Sequence, residues 1–188
     1  MADSKLEYSM LPDDDPHYTV IGLVACLWGF LESGIDGAIS DLARTDERVM
    51  ACVTAQLIGP ARRMDALVAL FRHEGGSEEI VKQLKKFQGS IQQLGEDRNR
   101  VVHDPLMKNN KTGKVHKSLT TAKGELKYEL APVSIDDMKK TAEEIREANW
   151  RFSHLRDAIK AEMNRILEEQ LQRSGVIPLD QNPLTGGS

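Results

Sequence analysis

Aromatic residues, cysteines and strand-like runs are scarce in this chain of 188 residues. Aromatic side chains make up 5% of it, and both cysteines, Cys26 and Cys52, lie within apolar helical patterns. A free cysteine in such a pattern behaves as a small hydrophobic residue, so the cysteine usage predicts a reduced, cytoplasmic protein. Helix formers dominate the long periodic stretches, which favours a mostly helical fold with a sizeable core.

The sequence also lacks the marks of an exported or membrane-spanning protein. Its first 16 residues are acidic and have no basic start followed by an apolar core, which a signal peptide would have. The most apolar run, from Tyr18 to Leu31, covers 14 residues and is then followed by Glu32 and Asp36. Because a bilayer requires about 20 apolar residues, this run predicts a buried helix and no membrane partner.

The spacing of apolar residues predicts four to five helices. The first runs from near His17 to near Leu42, and because its first half is apolar all round we expect it to be central. Thr45 is the predicted N-cap of a second helix. That helix should continue to Gly59-Pro60, where the proline kinks or restarts it.

Two further boundaries come from glycine and proline. Gly75 and Gly76 should end a third helical stretch, and Ser77 should cap a fourth. We expect the fourth helix to end at Asp104-Pro105, because a residue before proline avoids the helical region.

The segment 108–131 has a different pattern, with turn residues followed by two short strands that predict a basic arm or hairpin. Ser134 and Asp137 then form a capping box for a long last helix. The predicted fold class is an all-α helical bundle with a small β-hairpin-like arm between the last two helices. Its expected parts are a flexible acidic lead over 1–16, one domain over 17–173 and a flexible tail over 174–188.

The apolar stripe of the fourth helix ends on a cation. Leu84, Phe87, Ile91 and Leu94 recur at helical spacing, and the next turn of the stripe falls on Arg98. A guanidinium stays protonated at any workable pH and is costly to bury alone. Arg98 therefore snorkels, meets a buried acid, or sits at the mouth of a cleft or subunit seam.

Positive charge is concentrated in one part of the chain. The net charge is −4, yet residues 98–127 hold eight lysines or arginines against two acids, a local charge of +6. A polyanion would meet this segment first, which makes RNA an expected partner. A solvated arm whose lysines discourage edge pairing is an equally good interpretation. The candidate phosphate contacts are Arg100, Lys108, Lys111, Lys114 and Lys117.

The six residues RNRVVH at 98–103 resemble the Arg-Asn-x3-His motif of the HEPN family. The resemblance implies a dimer of small helical bundles and, in active members, RNA cleavage without a metal or other cofactor. It also implies that His103 acts as general base and then acid, that Arg98 stabilises the transition state, and that Asn99 orients His103 or a phosphate. The implied product is a cyclic phosphate.

These residue types suit the chemistry without the family. Metal-free RNA cleavage needs a group that titrates near neutral pH and a fixed cation beside the phosphorus oxygens. Five residues on a helix correspond to about 140° of rotation, so we expect Arg98 and His103 not to share a face. Either the helix ends irregularly or two copies of the motif meet across a twofold axis, and the resemblance favours the second arrangement.

Other interpretations of these residues stay open. Arg98 and His103 are also explained as an ordinary salt-bridge partner and a cation at a helix carboxyl end. Glu32 is either a half-exposed acid or, if buried, a supporting acid that positions Arg98 or the Arg62-Arg63 pair. The preferred function is an RNA-cleaving or RNA-binding protein of a stress or phage-defence system, with an antitoxin or other protein as a further partner. The alternative is a catalytically inactive interaction module.

Overall fold

The computed structural model describes residues 7–121 and 127–174. Its architecture is a helical bundle with a small antiparallel sheet, which confirms the predicted fold class. The helices are α1 (Pro16–Ala43), α2 (Glu47–Thr54), α3 (Gly59–His73), α4 (Glu78–His103) and α5 (Ile135–Ser174). The strands are β1 (Tyr8–Ser9), β2 (Leu106–Asn109), β3 (Val115–Thr121) and β4 (Lys127–Pro132).

Most helix boundaries follow the predicted local chemistry. α4 ends at His103, directly before Asp104-Pro105, and the hydroxyl of Ser134 accepts a hydrogen bond from the Asp137 N–H at 3.1 Å. The predicted cap of α2 is wrong by one residue. Asp46 caps that helix in place of Thr45, because its carboxylate accepts a hydrogen bond from the Arg48 N–H at 2.9 Å.

α1 has one face that the chain leaves uncovered. Its buried side includes Val24 and Trp28, but Leu23 is 39% exposed and Phe30 is 70% exposed. The expectation of a central helix is therefore wrong for this face, since a helix that is apolar all round can also present one side outward. Among the described helices, α1 is the one long and apolar enough to cross a membrane, a property that it shares with core helices and signal sequences.

α2 also carries its apolar side chains outward. Val49 and Val53, whose spacing indicates the helix, are each more than half exposed, and Thr54 is the buried residue of this element. α2 ends at Thr54, and four residues separate it from α3, which begins at Gly59 with Pro60 in its first turn. Pro60 therefore starts a new helix, which is one of its two predicted effects.

The sheet is larger than predicted. Its four strands are antiparallel in the order β1, β2, β3, β4, so the expected hairpin of β3 and β4 is extended on one side by two strands. Tyr8 pairs with Asn109 in β1 and β2, and Leu11 is 3% exposed. The flexible lead predicted for 1–16 is therefore wrong for residues 7–16. The turn expected at 122–124, residues 1–6 and the tail beyond 174 lie outside the described residues.

Contacts divide the chain into two compact units, Met1–Gly34 with Gln88–Arg151 and Ile35–Phe87 with Phe152–Ser188. The predicted stripe of α4 is buried in both. Fully buried residues of the first unit include Val24, Leu31, Ile91, Met138 and Ile145, and those of the second include Ile35, Met64, Leu67, Phe71 and Leu84. The first unit also contains the whole sheet and the carboxyl end of α4, so it carries the candidate site.

Candidate functional site

Arg98 lies against a buried indole near the end of α4. It follows Leu94 by one turn on the apolar face, and its side chain is half-buried. The guanidinium carbon is 6.0 Å from the ring centroid of Trp28 in α1, and Trp28 is only 4% exposed. A cation over an aromatic face at this distance is attracted by the ring quadrupole. The cation at the end of the stripe therefore meets an aromatic ring.

The same guanidinium reaches both other residues of the motif. Nη1 of Arg98 donates to Oδ1 of Asn99 at 2.9 Å and lies 3.2 Å from Nε2 of His103. We expected Arg98 and His103 not to share a face of α4, and their side chains meet nevertheless. Their Cα positions do face different directions, but the long arginine side chain spans the difference. A second copy of the chain is not required to bring the two groups together.

The Arg98–His103 contact assigns a role to one ring nitrogen. A guanidinium only donates hydrogen bonds, so Nε2 of His103 is the acceptor in this contact. His103 and Asn99 are exposed, so the arrangement lies at the surface of the first unit. An accessible imidazole nitrogen that can accept a proton is what a general base requires.

Two buried polar atoms beside this contact have no hydrogen-bond partner among the described residues. They are Nε of Arg98 and Oδ2 of Asp104. A buried donor or acceptor without a partner costs roughly 1–3 kcal/mol. Each such group in a folded protein calls for an explanation, and a functional role is one of the recognised explanations.

The supporting acid predicted from the sequence is not the group that contacts Arg98. Glu32 is half-buried one turn beyond Trp28 on α1, and Asp36, the weaker candidate, pairs with Arg63 at 2.9 Å. The side chain that lies against the Arg98 guanidinium is Trp28. Sequence reasoning missed this role because Trp28 lies within the apolar run from Tyr18 to Leu31, where it looks like an ordinary core residue. The signal that could have found it is the coincidence of an aromatic residue in one stripe with a cation in another.

The basic residues lie on α4 and on the sheet that follows it. Lys111 and Lys114 are exposed in the turn between β2 and β3, which Asn109 organises by accepting the N–H groups of Lys111 and Thr112 at 2.9 Å each. Gly113 completes the turn with a φ of 71°. The remaining basic residues are Arg100, exposed on α4, and Lys108 and Lys117, half-buried on neighbouring strands.

The strand register adds one relation that the sequence did not predict. Lys108 is paired with Val115, and Lys117 lies two residues further along the same strand. Because side chains alternate between the faces of a sheet, Lys108 and Lys117 are on one face. The structure thus brings together two of the five candidate phosphate contacts.

The described residues contain no group of three or more histidine, cysteine or acidic side chains that could hold a metal ion. Comparison of the chain with known protein families, with curated proteins and with solved structures finds no match. The resemblance to HEPN proteins is therefore carried by the six residues RNRVVH, to which the structure adds a direct contact between the first and the last of them.

Proposed function

We propose that this protein binds RNA and cleaves it without a metal ion, in the manner of HEPN proteins. The observation that supports the proposal is the contact of 3.2 Å between Nη1 of Arg98 and Nε2 of His103 at an exposed helix end. It pairs a permanent cation with an imidazole nitrogen, which are the two groups that metal-free cleavage of a phosphodiester needs.

The proposed reaction is an internal transfer at phosphorus. His103 takes the proton of a ribose 2′-hydroxyl, and the oxygen attacks the adjacent phosphorus. The bond from phosphorus to the 5′-oxygen breaks, that oxygen receives a proton from the imidazolium, and a 2′,3′-cyclic phosphate remains. Arg98 neutralises charge that develops on the non-bridging oxygens. Asn99, which accepts from Nη1 of Arg98, orients the guanidinium.

Substrate binding has to release His103 in this scheme. In the structure Nη1 of Arg98 is shared between Asn99 and His103. An anionic phosphate oxygen is a stronger acceptor than either, because hydrogen bonds between ionised groups are roughly twice as strong as neutral ones. Transfer of Nη1 to the phosphate would leave Nε2 free to accept the 2′-hydroxyl proton.

We further propose a cytoplasmic homodimer formed through the uncovered face of α1. Leu23 and Phe30 are exposed on that helix, and Gly22 and Gly29 have open space beside them. Exposed apolar residues next to glycines allow close helix packing. A role in stress or phage defence, with an antitoxin as protein partner, would follow from uncontrolled RNA cleavage being harmful to the cell.

A second candidate function is a catalytically inactive interaction module. The exposed apolar residues Val49, Val53 and Ile58 favour it, since Ile58 is 84% exposed and all three lie close in sequence. An interaction module would need no imidazole beside a cation, so activity separates the two candidates.

The deciding experiment is incubation of the purified protein with total RNA in the presence of a chelator. Cleavage should persist in wild type and be abolished in His103→Ala. His73→Ala is a matched control, because His73 is also an exposed histidine at the last position of a helix. RNA left intact by the wild-type protein would contradict the nuclease proposal and favour the interaction module.

A further inference from the structure

The indole of Trp28 is a buried aromatic ring that the proposed reaction does not use. It is 4% exposed, and the Arg98 guanidinium carbon lies 6.0 Å from its centroid. We propose that Trp28 is a positioning residue that holds the Arg98 guanidinium beside His103. The proposal rests on the proposed function for its catalytic meaning, but the contact itself can be tested without any cleavage.

The hydrogen bonds of Arg98 do not fix its guanidinium by themselves. A single nitrogen, Nη1, serves both Asn99 and His103, and those two side chains are exposed. Nε of the same side chain is buried and has no acceptor in the described part of the chain. An arginine has several rotatable bonds, so a planar surface against the guanidinium is needed to limit its orientations. Trp28 supplies that surface.

An aromatic ring suits this purpose better than a carboxylate would. A carboxylate binds a guanidinium through two parallel hydrogen bonds and neutralises its charge. An indole face attracts the cation without accepting any of its N–H groups. The positive charge of Arg98 therefore stays available for a phosphate. This explains physically why the cation at the end of the α4 stripe meets Trp28.

Two substitutions at position 28 distinguish the effect of the aromatic face from that of apolar side-chain volume. Trp28→Phe keeps an aromatic face, whereas Trp28→Leu keeps apolar volume and removes the face. We expect kcat to fall roughly tenfold in Trp28→Leu, with a smaller change in KM, and to be largely retained in Trp28→Phe. Val20→Ala, a buried position two turns earlier on α1, controls for stability loss alone and should leave kcat unchanged.

The activity-independent readout is the tautomer of His103 in nitrogen-15 NMR spectra of labelled histidine. The His103 signals are identified by their absence in His103→Ala. Wild type and Trp28→Phe should show the proton on Nδ1, because Nε2 accepts from Arg98, and Trp28→Leu should shift the proton toward Nε2. If the wild-type protein cleaves no RNA but Trp28→Leu shows this shift of the proton, the proposed function is refuted and the role of Trp28 is supported. An unchanged tautomer in folded Trp28→Leu would overturn the inference.

Fluorescence provides a test that leaves the core intact. In a Trp150→Phe background Trp28 is the remaining tryptophan, since the chain has two. Arg98→Met should then change the emission of Trp28, because a cation is removed from beside the ring. Emission that is the same with and without the arginine would overturn the inference even if Trp28→Leu fails to fold.

Discussion

The Arg98 side chain is held by uncharged groups: an amide oxygen, an imidazole nitrogen and an indole face. Each of these contacts leaves the charge of the guanidinium uncompensated. A structural arginine at the edge of a core is typically paired with a carboxylate, as Arg63 is with Asp36. This difference between the two arginines supports the proposed role of Arg98 in RNA cleavage.

Removal of the Arg98 side chain should cost little stability. Arg98→Ala removes contacts to the uncharged groups of Asn99, His103 and Trp28, so we expect the free energy of unfolding to fall by about 1 kcal/mol or less. Cleavage, in contrast, should be lost. Urea unfolding of the variant beside wild type measures the first effect. A loss of about 3–5 kcal/mol, the cost of stranding a buried charge, would instead make Arg98 a structural residue.

Gly76 is a second residue whose identity the structure explains. A Cβ atom built there would lie 2.4 Å from the ring of Phe71, which is fully buried and cannot move aside. Gly76→Ala should therefore destabilise the protein by about 1–3 kcal/mol, the usual cost of overpacking. Gly89→Ala is the matched control, because Gly89 is exposed in α4 with nothing within 4 Å, and it should stabilise by about 0.5–1 kcal/mol. Equal effects in thermal unfolding would contradict this account.

At the scale of the elements, α1 and α5 are joined in the second unit by ion pairs. Asp41 accepts hydrogen bonds from Arg156 at 2.9 Å and lies 3.3 Å from Lys160. Burial alone would raise the pKa of Asp41, but the hydrogen bond and charge of Arg156, with a smaller contribution from Lys160, hold that pKa below its ordinary value. This pair should therefore contribute to stability only while the carboxyl group is ionised.

Asp41→Asn should lower the free energy of unfolding at neutral pH by roughly 0.5 kcal/mol, a small effect because the pair is partly exposed and screened. The folded-state pKa lies below the unfolded one, so the contribution is complete above the unfolded value near 3.9. It is lost as the pH falls through the folded value. Unfolding curves of both proteins should accordingly converge in acid, and a difference that grows in acid would refute the assignment.

The sequence predicts a helix or strand well where residues within that element or next to it mark its period and its ends. The period of Leu84, Phe87, Ile91 and Leu94 predicts α4 because all four are buried, and the proline at 105 predicts its end. β1 has only two residues, and no local pattern marks a strand whose partner is far away in the chain. The Arg98–His103 contact could not be predicted from helix geometry, because it depends on the length and rotamer of one side chain.

At the scale of the whole molecule, the basic residues should make RNA affinity depend on salt. Replacing Lys111, Lys114 and Lys117 together with Ala should reduce the slope of log affinity against log salt concentration. The expected reduction corresponds to the loss of up to about three phosphate contacts. Each contact contributes a slope of roughly 0.9 on duplex and 0.7 on single strands. The control is replacement of Lys82, Lys85 and Lys86, which removes the same charge from an exposed part of α4. Equal slopes in the two variants would mean that Lys111, Lys114 and Lys117 are solvated and do not contact phosphates.

The oligomeric state tests the uncovered face of α1. We expect a dimer in sedimentation experiments at micromolar concentration and a monomer in Phe30→Asp, because a charge at a 70% exposed apolar position opposes burial in an interface. Val53→Asp alters a 53% exposed apolar residue on α2 and should leave the dimer intact. Wild-type protein that stays monomeric would remove the dimer from the proposal.

The pairing of β1 with β2 also determines the order in which the sheet can be assembled. Ser9 donates to Asn110 across a separation of 101 residues, whereas β2 and β3 are joined by a short turn. The entropy lost in closing a loop increases with its length, so β1 should dock after β2 and β3 have paired. Being the last strand to join and only two residues long, β1 should also detach first. The N–H of Asn110, bonded to the Glu7 carbonyl, should therefore exchange with solvent before that of Ser118, bonded to Pro105.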